Sequence, residues 1–396
     1  MNDMVQTLRP FRFQMPALVI GVIGLVASIA GAFMAQEQFF RSWLVAFIFW
    51  TALTIGSLAI LMLQYMTGGW WGYMIRRPLL AAIANFPLMI LAAIPVYVGA
   101  EHLYTWMDHD LMEHDHILNQ KVAYLNWEAF VGRGILFFAL WMLWAYMLRR
   151  YDAAFDETGS PHTALSLRRW SASGLLLVAL TSTFASVDWM MSLDPYWFST
   201  MFGISFLIGA GLLAFSFAIL VITGMADQSP IKDVAKPVYF RDLGNLTFAF
   251  VMLWAYTAFS QFLLIWYGNI KEEIPWYLVR SHGAWGFVSV MMIVLHFFLP
   301  FLLLLMRGIK DRPKLLGRVV LFIIVMRAVD YYWIVAPNWS TEGHHATFNL
   351  HWLDFTTILG LGGIWVFMFF RTLGKRDVLA SRAQFQEEKK EALSHG

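Results

Sequence analysis

The chain has 396 residues, of which 59% are hydrophobic and 14% charged, against roughly 25% charged residues in soluble proteins. A soluble enzyme is excluded by that balance. The absence of cysteine excludes disulfides, iron–sulfur ligation and haem held through Cys-x-x-Cys-His, and the formal charge of +2 carries no message until the charges are placed.

Apolar residues fall in unbroken blocks of about twenty, the length of helix that crosses roughly 30 Å of hydrocarbon. Ten such blocks lie near 16–35, 43–66, 79–100, 128–148, 171–191, 196–223, 242–267, 281–306, 315–337 and 352–371. The sequence therefore predicts an all-α integral membrane protein with ten transmembrane helices. The first block follows Arg9 and Arg12 and contains Ala30-Gly31-Ala32, a tolerable signal-peptidase site. At twenty apolar residues it exceeds a signal-peptide core and reads as an uncleaved anchor. Pro87 and Pro95 would kink the third span, and no pair of spans carries matched Gly/Pro interruptions.

Counting Lys and Arg on alternate sides gives 22 on the side of both termini and 4 on the other (Arg41, Lys121, Lys271 and Arg280), with Arg133 and Arg327 inside spans. The positive-inside rule then places both termini in the cytoplasm. The opposite side holds eight of eleven histidines (102, 109, 114, 116, 282, 344, 345 and 351) and a run of acids from Glu101 to Asp115. Their spacing specifies no metal geometry, so an acidic docking loop is the simpler reading than a metal site. The polar tail after 372, through Gln386 to Glu391, reads as a solvated end.

One internal repeat is visible. Val187-Asp188-Trp189 followed by Pro195 and Trp197 returns as Val329-Asp330-Tyr331 followed by Pro337 and Trp339, and Phe49 with Gly56 returns as Phe202 with Gly209. Spans 2–5 and 6–9 would then be two four-helix bundles in a parallel pseudo-repeat, flanked by spans 1 and 10. The chain divides accordingly: an N-terminal segment with the first span at 1–42, bundles at 43–191 and 192–339, a loop with the last span at 340–371, and a tail at 372–396.

Ionisable groups inside a bilayer cost about 3 kcal/mol each or more, so Arg133, Asp188, His296, Arg327 and Asp330 are the first candidates for a site. Depth arithmetic puts Arg133 and Asp188 level on neighbouring helices, and His296 and Arg327 level near mid-membrane. Asp330 and Tyr331 share the face of Arg327 at i+3 and i+4. Hydroxyls and amides extend these positions into polar tracks: Thr181, Ser182, Thr183 and Ser186 in span 5, and Asn245, Tyr256, Thr257, Ser260 and Gln261 in span 7. Two readings stay open. The groups relay protons, with arginine tuning the stations, or they are static pairs and polar glue between helices. A bis-histidine haem is not expected, because His296 alone lies deep. Tryptophans at span ends read as interfacial belts, and a quinone near Tyr97, Trp106 or Trp189 would use similar aromatics.

The segment 188–203 (DWMMSLDPYWFSTMFG) resembles one in the membrane subunits of alternative complex III, a bacterial quinol:electron-acceptor oxidoreductase. So do 68–78 (GGWWGYMIRRP) and 351–354 (HWLD). Ten spans, two four-helix units and a short tail are most similar to its ActF-like subunits, relatives of the polysulfide-reductase membrane subunits. The resemblance implies a bacterial inner-membrane subunit with no redox centre of its own. Its partners would be an ActC-like paralogue that houses the quinol (menaquinol) site, iron–sulfur and multihaem cytochrome c subunits, and a terminal oxidase as a further associate. It implies a proton-conducting or scaffolding role in which Asp188 matches the family-like segment. A secondary transporter and a purely structural anchor remain the alternatives.

Overall fold

Ten helices are long and apolar enough to cross a bilayer, and each of the ten expected blocks lies within one of them or overlaps it closely. The computed structural model describes residues 9–339, 341, 342 and 345–379. The tail from 380, with Arg382, Lys389 and Lys390, lies outside the described residues, as does His344. The spans are Phe11–Met34, Gln36–Thr67, Trp70–Val98, Trp127–Thr158, Pro161–Leu193, Phe202–Met225, Pro237–Gly268, Gly283–Leu305, Pro313–Trp339 and Trp352–Leu373, numbered 1 to 10. Several overrun the apolar blocks because a helix does not stop where the hydrocarbon does: at 32 residues, span 4 is about 48 Å long and carries Arg149 and Arg150 beyond the apolar zone. The one strand pairing among the described residues is a two-residue ladder, Thr341–Glu342 with His345–Ala346.

Spans 2 and 6 form the centre. Span 2 packs against spans 1, 3, 5, 6, 9 and 10, and 94% of its most apolar window is buried, so it needs no polar face. Span 6 packs against spans 2, 3, 5, 7 and 9. The crossing of the two is set by Gly56, where a Cβ would stand 2.0 Å from the Ala210 carbonyl oxygen. Within spans 2–5, span 2 touches 3 and 5, and 4 touches 3 and 5. Within spans 6–9, span 6 touches 7 and 9, and 8 touches 7 and 9. Span 10 lies in the groove between spans 1 and 2, and spans 1 and 10 meet through Gly24 and Gly360, whose backbones close to a distance no side chain would allow.

The same tie recurs at the arginine-rich end of each unit. Arg77, near the start of span 3, pairs with Asp152 (2.7 Å) and Asp156 beyond the apolar part of span 4. Arg241, near the start of span 7, pairs with Asp311 (2.7 and 3.0 Å) just after span 8. The Arg241 guanidinium, with Arg307 beside it, holds the Asp311 carboxyl below the usual carboxylate range.

Two spans are irregular, each where proline removes a bond from the helical ladder. Pro87 cannot donate to the Ile83 carbonyl, and span 3 tightens to a 3₁₀ turn over Ile83–Asn85. Pro300 cannot donate to the His296 carbonyl and its ring crowds that oxygen, and span 8 widens to a π-helix over Met292–Phe298. At Pro95 the helix is not interrupted and runs on to Val98. The irregularity in span 8 was not expected, and the two breaks fall in helices that are not equivalent in the repeat.

Candidate functional site

The two aspartates of the sequence repeat end up in different company. In the first unit, Arg133 of span 4 reaches across to Asp188 of span 5 with two parallel bonds, Nε to Oδ2 at 2.8 Å and Nη2 to Oδ1 at 3.0 Å. Its remaining arm donates to the Tyr124 carbonyl (3.0 Å), and the guanidinium lies 3.8 Å from the centre of the Tyr124 ring. A bidentate guanidinium–carboxylate fork with a third bond to a backbone carbonyl is the geometry of a fixed pair.

In the second unit the arginine comes from the same helix as its acid. Arg327 pairs with Asp330 one turn on, and its guanidinium covers the Tyr331 ring at 4.5 Å, so the i+3 and i+4 neighbours both engage it. Room for that guanidinium exists because span 6 has glycine opposite: a Cβ on Gly209 would stand 2.2 Å from Arg327 Nη2. All three side chains are buried. His296 sits in the π-helical segment with both ring nitrogens buried and without a hydrogen-bond partner among the described residues. Its ring packs edge to face on Trp254 of span 7 at 4.0 Å, and Trp254 is also a hydrogen-bonding neighbour of Asp330. His296 and Arg327 thus stand within electrostatic reach of each other, as their depth predicts, and Trp254 adds a contact from the His296 ring to the neighbourhood of Asp330. Without the rotation of span 7 about its axis, the sequence could not select that tryptophan.

A cavity of about 800 Å³ adjoins this cluster, bounded by spans 6 to 9 and the short helix Ile274–Ser281. Trp254, Arg327, Asp330 and Tyr331 form part of its wall, and Gln261, Tyr277 and Arg280 stand at the histidine-rich end. Gln261 donates to the Tyr277 hydroxyl (3.3 Å) and accepts from Ser199 (3.4 Å). Tyr256 lies at the cavity rim but is 66% exposed. Asn245 is also exposed and holds Lys310 (2.6 Å), so of the polar residues expected in span 7 Asn245 and Tyr256 face outward, whereas Thr257 and Gln261 are buried.

The hydroxyls of span 5 do not form a track. Thr181, Ser182, Thr183 and Ser186 each donate to a carbonyl three or four residues back on their own helix, and Thr181 also accepts from Trp141 (2.8 Å). Such back-bonding consumes the donor that a relay would need. Tyr97, Trp106 and Trp189 are drawn into one packed aromatic group with Phe130 and Tyr104.

Sequence reasoning treated Arg76 and Arg77 as topogenic charges, but both are buried. Asp152, fully buried, accepts from Arg77 and from Tyr65 (2.7 Å each), with Arg376 at 3.5 Å. In the loop before span 4, Asp108 and Asp115 cap short helices through backbone N–H groups. The Tyr196 hydroxyl and the Leu118 and Ile117 amides hold the Asp115 carboxyl below its ordinary range. Among the described residues no three His, Asp or Glu side chains gather closely enough to hold a metal ion.

Ten apolar helices, with Asp188, His296, Arg327 and Asp330 buried between them, define a multi-pass integral membrane protein. No protein-family model matches the chain, and no curated protein matches it.

Proposed function

We propose that the chain is a subunit, without a redox centre of its own, of a respiratory quinol:electron-acceptor oxidoreductase of the alternative complex III type. Its termini face the cytoplasm of a bacterial inner membrane. Quinol is oxidised on an ActC-like partner, and electrons pass through iron–sulfur and multihaem cytochrome c partners to a cytochrome or a terminal oxidase. This subunit supplies a proton half-channel in its second bundle and a rigid frame in its first. Supporting the assignment are the 22 to 4 division of cations, the absence of cysteine and the resemblance over 68–78, 188–203 and 351–354.

The observation that carries the proton role is His296, whose two buried nitrogens have no hydrogen-bond partner among the described residues, one tryptophan away from a buried Asp330. A satisfied structural histidine would have at least one nitrogen bonded. Asp330 and His296 are the stations, Arg327 sets their charge balance, and Gln261 with Tyr277 continues the polar line toward the histidine-rich end. Asp188, held on both oxygens by Arg133, is the anchor of the frame.

In proteoliposomes containing the assembled complex, Asp330→Asn and His296→Gln are expected to lower proton-coupled turnover by about tenfold or more. Asp188→Asn is expected to act mainly on stability. Turnover and proton movement like wild type in the Asp330→Asn and His296→Gln complexes would overturn the proton role.

The cavity and the π segment are also what a secondary transporter would need, and that is the second reading. The breaks in spans 3 and 8 are not equivalent in the repeat, whereas transporters of the repeat type place discontinuous helices at matching positions. Purification free of haem-containing partners, with saturable solute uptake into vesicles, would favour it.

A further inference from the structure

The cavity of the second bundle opens sideways. Its rim residues Phe259, Ile293 and Phe298 are exposed on spans 7 and 8, so the mouth lies in the plane of the bilayer. One charged group in its wall is left out of the ion-pair scheme. Arg280 is 2% exposed and has no carboxylate within salt-bridge distance among the described residues. Its guanidinium donates to the carbonyls of Trp276 (2.8 Å), Trp333 (3.2 Å) and Ile334 (2.7 Å) and to Asn338 Oδ1 (3.2 Å). Four of its five N–H groups are thereby used, and one on Nη1 is spare.

These bonds also fix its depth. Trp333 and Ile334 belong to the last turn of the helix Pro313–Val335, so Arg280 stands at the headgroup level of the histidine-rich end. Arg327 lies seven residues deeper on that helix, about 10 Å at about 1.5 Å per residue. Because Asp330 neutralises Arg327, the positive charge left in the cavity wall is Arg280, at the headgroup level, above aromatic walls that open to the bilayer; Asp194, the acid whose field reaches it, lies outside the lining and beyond salt-bridge distance.

We propose that this cavity binds an anionic phospholipid from the leaflet at the histidine-rich end. A phosphate oxygen accepts from Arg280, and one acyl chain lies against Trp254 and Phe259 and leaves between spans 7 and 8. Charge complementarity selects the headgroup and the lateral mouth selects the chain. With the chain in place, water has no sideways route to Asp330. The site stands on its own geometry, whether or not Asp330 relays protons.

The test uses the full chain, extracted in mild detergent with whatever subunits accompany it. Retained lipid is read by native mass spectrometry, and melting is followed during titration with palmitoyl-oleoyl phosphatidylglycerol, the matching phosphatidylcholine, or menaquinone. Phosphatidylglycerol is expected to be retained and to raise the melting temperature, with phosphatidylcholine about tenfold weaker, the size of one charge-assisted contact. Arg280→Gln is expected to abolish the difference between the two lipids. Ala258→Trp, which fills the cavity without touching Arg280, is expected to abolish retention of phosphatidylglycerol, and it serves where Arg280→Gln does not fold. Equal affinity for the two phospholipids, retention unaffected by Ala258→Trp, or preference for menaquinone would each overturn the proposal.

Discussion

Replacing Gly56 with alanine is expected to destabilise the protein by about 3 kcal/mol or more, although it adds a single methyl group. The methyl carbon would sit 2.0 Å from the Ala210 oxygen and 2.4 Å from its carbonyl carbon. Those atoms are backbone, in the middle of span 6, so no rotamer change can relieve the clash. Spans 2 and 6 would have to separate, and every other span except 4 and 8 packs directly on one or both of them. The measurement is thermal melting in detergent, together with the yield of monodisperse protein. Gly132→Ala is the control: a Cβ there meets nothing within 4 Å, and alanine in a helix is favoured over glycine by up to about 1 kcal/mol. Equal melting of the two variants would show that the central crossing is looser than described.

The second large effect concerns Arg327. Changing it to leucine leaves Asp330 charged and buried, a loss of about 3–5 kcal/mol, whereas changing both residues to leucine is expected to restore most of that stability. Unfolding in mixed micelles, followed by tryptophan fluorescence, measures both variants. The double variant also separates structure from function. If Asp330 carries protons, a stable Arg327→Leu/Asp330→Leu protein assembles with its partners and fails in coupling. If it assembles and couples normally, the pair is a static device and the proton role is lost.

Much of the fold was legible because the signal is a length: twenty apolar residues have one reading in a bilayer, and ten blocks gave ten helices. The partners of the buried charges were legible where spacing or depth decided them. Arg327, Asp330 and Tyr331 lie within one turn of one helix, and Arg133 and Asp188 stand level on sequential antiparallel spans. What failed was rotation. Tyr256 and Gln261 are five residues apart, which at 3.6 residues per turn puts them on different faces, one at the rim and one inside. Nor does composition reveal that a hydroxyl is spent on its own backbone, as in span 5, or that a loop arginine such as Arg280 folds back into the bundle. The π segment had a signal that was passed over, Pro300 four residues after His296.

How each aspartate is tied down has a mechanical consequence. The fork from Arg133 to Asp188 rivets spans 4 and 5 together, and parting them would strip a carboxylate of its counter-charge inside the membrane. Across spans 8 and 9 the corresponding fastening is a neutral hydrogen bond from Trp333 to Ser289 (2.8 Å), because Asp330 takes its counter-charge from its own helix. Span 8 can therefore slide or turn past span 9 without separating opposite charges, and its widened segment gives it slack to do so. Sliding of one helix past the next meets less electrostatic resistance in the second half of the molecule than in the first.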